Sequence, residues 1–252
     1  MRSPVHLYRP IAHRIDGIVA LGDEAPRTAG MLTRDVLAIA ARLPPASPGS
    51  EVLIVCGDRY RVAVAVLAAW QAGHAAALPP NAAPETVRAL RRRLGVIALL
   101  HDSDADDPDD LRPWLAAVDL APTRDPALLD PIASDRVIAI VYTSGSTGAH
   151  QACPKTARQL LGEAATLTER FAIGPQQRVL ATVPPHHLYG LLFGVLVPLC
   201  AGASVIRETP LHTETVAAVA RRFAADMLVS APVHLRSLTL LSPGELPPLG
   251  HV

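Results

Sequence analysis

The chain has 252 residues, half of them hydrophobic, with 23 basic and 23 acidic side chains and a formal net charge of zero. A neutral chain has no general electrostatic attraction for nucleic acid or an anionic membrane surface, and this apolar fraction is enough to bury a sizeable core. The three cysteines, Cys56, Cys153 and Cys200, are isolated and lack the paired spacing of a disulfide framework or a zinc site, so no metal ligand set is read and a reducing, cytoplasmic compartment fits.

Residues 1–20 mix charges and prolines with no apolar h-region, which argues against a signal peptide. Residues 1–32 show few periodic signals and are expected to be irregular. Thr33 is placed to cap a helix running to about residue 43, which Pro44-Pro45 stops. Residues 51–56 (EVLIVC) form a short apolar run typical of a buried strand. Asp58 then caps a helix over 59–72, ended by Gly73. A second strand is expected at 75–78, a helix opened by Pro84 to about 94, and a third strand at 96–100. The acidic stretch 102–110 (DSDADDPDD) lacks the glycine and closing glutamate of an EF-hand and reads as a solvated surface loop. A short helix over 111–118 and a Pro-rich connector through Pro131 follow.

The second half alternates more regularly. Strands are expected at 136–142, 178–183, 203–206 and 226–230, and helices at 156–171, 187–199, 213–223 and 232–241. Residues 190–206 carry no charge, but the stretch is short and interrupted by Pro198 and glycines, so it reads as a buried helix–turn–strand and not as a membrane span. Strands alternating with helices predict an α/β fold of layered, mostly parallel sheets flanked by helices. Two subdomains are expected, over residues 1–132 and 133–252.

Chemistry concentrates in residues 142–155, YTSGSTGAHQACPK, at the end of the strand over 136–142. Thr143, Ser144, Gly145, Ser146, Thr147 and Gly148 are all small, and each is glycine or hydroxylated. Such a loop brings backbone N–H groups close to an anion with no bulky Cβ in the way, and its hydroxyls can donate to phosphate oxygens. The Walker pattern fails because Pro154 stands where glycine is required before Lys155-Thr156. GxGxxG and the GxSxG elbow are absent as well.

TSGSTG after an apolar strand resembles the phosphate-binding signature of the adenylate-forming (AMP-binding) acyl- and aryl-CoA synthetase superfamily, [YF]TSG[ST]TGxPKG, which residues 142–148 match in order. Downstream, residues 184–190 (PPHHLYG) resemble the family segment P-x-[FH]-H-x-[FY]-G, with Pro184, His187, Tyr189 and Gly190 in register. The resemblance implies that residues 143–148 hold the ATP phosphates and that His187 lines the acyl and thiol tunnel as a catalytic-site residue; His186 is read as structural. It also implies Mg2+, coenzyme A or a carrier protein's phosphopantetheine, a small carboxylic acid substrate and, as a partner, an acyl carrier protein.

The match departs from the family in two places. The proline and lysine positions after Gly148 hold His150 and Gln151, while Pro154-Lys155 arrives four residues later. Either the loop carries a four-residue insertion that returns Lys155, the only lysine in the chain, to the phosphates, or Lys155 merely solvates the next helix. Second, the family's adenine, ribose and C-terminal lysine motifs are not found. The expectation is an incomplete large N-terminal domain, inactive alone and prone to self-association through exposed strand edges. The alternatives are a non-catalytic nucleotide-binding remnant of the same family and an unrelated α/β protein that reached TSGSTG independently.

Overall fold

The computed structural model describes residues 6–104, 106–144, 150–242 and 244–250, and of Ser144 the backbone alone. The first segment, expected to be irregular, contributes three short strands, β1 (Leu7–Tyr8), β2 (Ile18–Leu21) and β3 (Arg27–Thr28). Helix α1 spans Ala29–Ala40 and begins ahead of the expected start. Its cap is Thr28, whose hydroxyl accepts from the Met31 N–H at 3.3 Å. Thr33 lies buried inside the helix, and its hydroxyl donates to the Ala29 carbonyl at 2.8 Å. The two threonines are separated by which backbone group they satisfy: one an orphan N–H, the other a carbonyl one turn back.

Next come β4 (Glu51–Val55), α2 (Arg59–Gln71), β5 (Ala75–Leu78), α3 (Pro84–Arg91), β6 (Val96–His101) and α4 (Leu111–Val118), close to the positions the pattern gave. Asp58 caps α2 by accepting from the Arg61 N–H at 3.0 Å. The acidic stretch is more than a solvated loop. Asp102 accepts from the backbone N–H groups of Gly57 and Asp58 at 2.9 and 3.1 Å, and buried Asp110 caps α4 by accepting from Arg112 N–H at 2.7 Å. Two of its six carboxylates thus hold helix N-termini.

The chain continues through β7 (Ile132–Ala133), β8 (Val137–Ser144), β9 (His150–Thr156), α5 (Ala157–Arg170) and β10 (Arg178–Ala181). A helical run follows, α6 (Leu188–Leu191), a π turn over Leu192–Leu196 and α7 (Val197–Ala201). The chain then closes with β11 (Ser204–Ile206), α8 (Thr213–Arg222), β12 (Met227–Val229) and α9 (Pro232–Leu238). Strand β9 was not expected, because HQACPKT shows no alternation and a single β-branched residue, Thr156; its pairing with β8 overrides that weak local preference.

Two five-stranded sheets result, in the orders β6-β4-β5-β8-β9 and β12-β10-β11-β2-β3, with β1 and β7 as a separate antiparallel pair. Within the large sheets all pairings are parallel except β8 with β9 and β2 with β3. This is the α/β architecture of mostly parallel sheets flanked by helices. Each sheet draws on both sides of residue 132: β8 and β9 join the strands of the first half, and β2 and β3 join those of the second. Helix α2 is the layer between them. It packs against β4 and β5 on one side and β2 and β11 on the other, and its residues from Val62 to Trp70 are buried on every face. Its alanines allow both sheets to approach, which is what an all-round apolar helix requires. Trp70 ties this layer to β8: its indole N–H donates to the Ile138 carbonyl at 2.6 Å. No helix among the described residues is long and apolar enough to cross a membrane.

Candidate functional site

Strand β8 runs parallel to β5 and carries its C-terminal end to Ser144. Ligands of open parallel sheets gather beyond such ends. Tyr142 does not join the loop. It is buried beside Leu53, Ala77, Leu90 and Leu99, and its hydroxyl donates to Glu51 at 2.8 Å. Burial and the Glu51 carboxylate push the phenol up to about 12, so it stays protonated and acts as an anchor. Thr143 is exposed, opposite Gln151, and Ser144 lies opposite His150. Gly145, Ser146, Thr147 and Gly148 lie outside the described residues, as does the side chain of Ser144.

The hairpin register bears directly on Lys155. Ser144 pairs with His150, so the residues from His150 to Pro154 are taken up by strand rather than by a longer loop. Lys155 sits opposite Ala139, five positions beyond His150 and about 17 Å along the strand. That is further than a lysyl side chain spans. Gln151 and His150 are the residues of β9 nearest the loop. The Nδ1 atom of His150 is buried and has no hydrogen-bond partner among the described residues.

The second motif forms a tight turn between β10 and α6. The His187 N–H donates to the Pro184 carbonyl at 3.2 Å, and the His187 carbonyl accepts from Leu191 N–H at 2.7 Å. His187 is therefore the N-cap residue of α6, with extended backbone and no capping bond from its ring, which leaves the imidazole free for another partner. His186 and His187 have ring centroids 4.7 Å apart. Burial and the neighbouring His187 pull His186 down to about 4, so it is uncharged at neutral pH. Gly190 makes the turn possible: a Cβ there would stand 2.1 Å from the Pro184 carbonyl oxygen. The ring of Tyr189 is half exposed and packs on Phe193 at 5.0 Å.

The two sheets meet at the N-terminus of α2, through a residue that sequence reasoning passed over. Arg59 directly follows the cap Asp58 and reads in sequence as an ordinary first-turn residue, yet it is fully buried. Its guanidinium donates to the carbonyls of Ala181 and Val183, at the C-terminal end of β10, at 2.7 and 2.6 Å. It also donates to the Thr209 hydroxyl beyond β11 at 2.6 Å. Because α2 starts just past the C-terminal end of β4, the C-terminal ends of β4, β10 and β11 converge here. Beside Arg59 an open cavity of about 420 Å³ is lined by Asp23, Glu24, Asp58, Arg207, Glu208 and Thr209, among others. Its four carboxylates make it unsuited to a polyphosphate. Among the described residues no group of three or more His, Cys, Asp or Glu side chains has the geometry to hold a metal ion.

Comparison with known proteins gives a consistent picture. Residues 12–250 match the family described as AMP-binding enzyme. A 4-coumarate–CoA ligase of Halorhodospira halophila is 36% identical over 96 residues, 38% of this chain and 23% of the ligase. Phosphinothricin tripeptide synthetase PhsC of Streptomyces viridochromogenes is 30% identical over 244 residues, 90% of this chain and 21% of the synthetase. The solved structure of O-succinylbenzoate coenzyme A synthetase (MenE) from Bacillus subtilis, in complex with ATP and magnesium ion, superposes with a TM-score of 0.72 at 19% identity, over 92% of this chain and 65% of that one. The chain thus spans less than two thirds of the length of each of these relatives.

Proposed function

The chain belongs to the AMP-binding enzyme family, and from that premise we propose that it is the front portion of an ATP-dependent acid–thiol ligase. In the proposed reaction a small carboxylate attacks the α-phosphate of Mg·ATP, giving an acyl-adenylate and pyrophosphate. A thiol of coenzyme A, or of a carrier protein's phosphopantetheine, then displaces AMP. The observation that carries this reading is the position of TSGSTG: it joins β8 to its antiparallel partner β9, beyond the C-terminal end of a parallel strand.

In this reading residues 143–148 wrap the polyphosphate and stabilise the charge that develops on the leaving pyrophosphate. His150 fits the same role only if a movement uncovers its buried Nδ1, which has no partner among the described residues. The hairpin register supports a reading in which neutral Gln151 takes the returning-strand position and Lys155 makes no phosphate contact. His187 lines the path of the acid and the thiol. Support for the cofactors comes from MenE, solved with ATP and magnesium ion. Support for a carrier-protein partner comes from PhsC, a tripeptide synthetase. A cytoplasmic location and self-association through open strand edges belong to the same proposal.

Adenylation depends on positioning several groups around one phosphate, and this chain spans only part of the length of its relatives. ATP–pyrophosphate exchange by the 252-residue chain, assayed with a panel of aryl and medium-chain carboxylic acids, is therefore expected to stay at background. Acid-dependent exchange well above background would contradict the incomplete-site reading. A remnant without catalysis also gives background exchange, but it binds no carboxylic acid when ATP is present.

A further inference from the structure

We infer that Arg59 is a positioning residue for the histidine turn, setting the conformation of residues 184–190 from outside that segment. The inference rests on the proposed function only in treating this turn as part of the site. The geometry behind it stands by itself.

Pro184 and Pro185 follow one another, so two successive residues have no N–H with which to anchor the chain as it leaves β10. The last backbone donor before them that holds the sheet is Thr182, bonded to Val229 at 2.9 Å. Arg59 fills the gap by donating to the carbonyls of Ala181 and Val183. The Val183 carbonyl belongs to the peptide unit that enters Pro184. The next carbonyl, that of Pro184, accepts from His187 N–H and occupies the space left by the absent side chain of Gly190. A continuous line of contacts therefore runs from the guanidinium through Val183 and Pro184 to His187.

A merely packed core would not use arginine here. A fully buried guanidinium with no carboxylate within ion-pairing distance among the described residues carries a large desolvation cost. Burial pulls Arg59 down to about 10, the Asp58 and Glu208 carboxylates opposing that shift, so it is charged at neutral pH and its bonds to carbonyls are charge-assisted. Two buried polar atoms here, Arg59 Nε and Glu208 Oε2, have no partner among the described residues. The cost is thus tolerated without full compensation. The π turn lies over the same group: a Cβ on Gly194 would stand 3.2 Å from Arg59 Nε. π turns are rare interruptions of helices and are frequent at functional sites.

The test uses the 252-residue chain with ¹³C-labelled histidine and follows the ring signals through a pH titration, with no nucleotide or turnover required. Failure here is therefore separable from failure of the nucleotide reading. In the unaltered chain burial and the neighbouring His187 are expected to hold His186 down at about 4. In Arg59→Met the turn loosens and admits water, and His186 is expected to rise toward the ordinary value of about 6.5 with new ring shifts for His187. His74, held between Ser50 and the Pro44 carbonyl, keeps its signals. Arg59→Lys, which retains one cationic donor group, recovers part of the change. Should Arg59→Met fail to fold, Gly194→Ala presses on Nε without removing the charge and gives the same readout. Unchanged His186 and His187 signals in a folded variant overturn the inference. So do changes that His74 shares equally, because they indicate general loosening of the core.

Discussion

Gly190→Ala is expected to destabilise the fold by about 3 kcal/mol or more and to dismantle the turn that presents His187. The effect is large because the obstacle is backbone. The added methyl would stand 2.1 Å from the Pro184 carbonyl oxygen and 2.8 Å from its carbon, and neither can swing aside as a side-chain tip can. Pro184 cannot retreat easily, since its ring restricts φ and its carbonyl is bonded to His187 N–H. Relief therefore requires α6 to move off the turn. In a chain of this length about 3 kcal/mol lowers the melting temperature by roughly 6–12 °C. Gly174→Ala provides the control: nothing lies within 4 Å of a Cβ there, and a change below about 0.5 kcal/mol is expected. Thermal and urea unfolding of both variants check this, and equal stability of Gly190→Ala and the unaltered chain would contradict the assigned turn.

Trp70→Ala carries the second large effect, a loss of about 3–5 kcal/mol. The indole is 1% exposed at the centre of the layer between the two sheets, so truncation leaves a cavity that neither sheet can close alone. It also removes the 2.6 Å bond to the Ile138 carbonyl, which ties β8 to α2. The backbone of Trp70 is held separately, because Arg136 donates to its carbonyl at 2.7 Å; the damage therefore falls on the side-chain contacts. Trp70→Phe separates the two contributions. It keeps most of the bulk and loses the N–H, for an expected cost of about 1–3 kcal/mol. Urea unfolding midpoints read both variants, and a Trp70→Ala cost no larger than that of Trp70→Phe would show that the cavity contribution is misjudged.

Features whose cause is local could be read from the sequence. Asp58 announces α2 because a carboxylate before an apolar helix satisfies its first N–H groups. Residues 52–56 and 137–142 are recognisable as strands because their apolar runs are too short for a helix and rich in Val and Ile. The family was legible because TSGSTG after an apolar strand resembles its signature, and the AMP-binding family match over residues 12–250 bears the family out. What escaped was non-local. Nothing in residues 18–28 signals that β2 pairs with β11 across most of the chain and β3 with β2. HQACPKT is a strand only because β8 supplies its partner, and without that register the spacing to Lys155 looks like a loop insertion. Arg59 looks like a solvated first-turn residue until the ends of β10 and β11 close over it.

The central claim is that the residues joining β8 to β9 bind the polyphosphate of a nucleotide. Calorimetric titration of Mg·ATP, and separately of pyrophosphate, into the 252-residue chain tests this most directly, alongside the double variant Ser146→Ala/Thr147→Val. Both ligands are expected to bind the unaltered chain, and the variant is expected to bind at least about tenfold more weakly, roughly 1.4 kcal/mol, with an unchanged melting temperature. Absence of binding by the folded chain, or binding indifferent to the two substitutions, would contradict it.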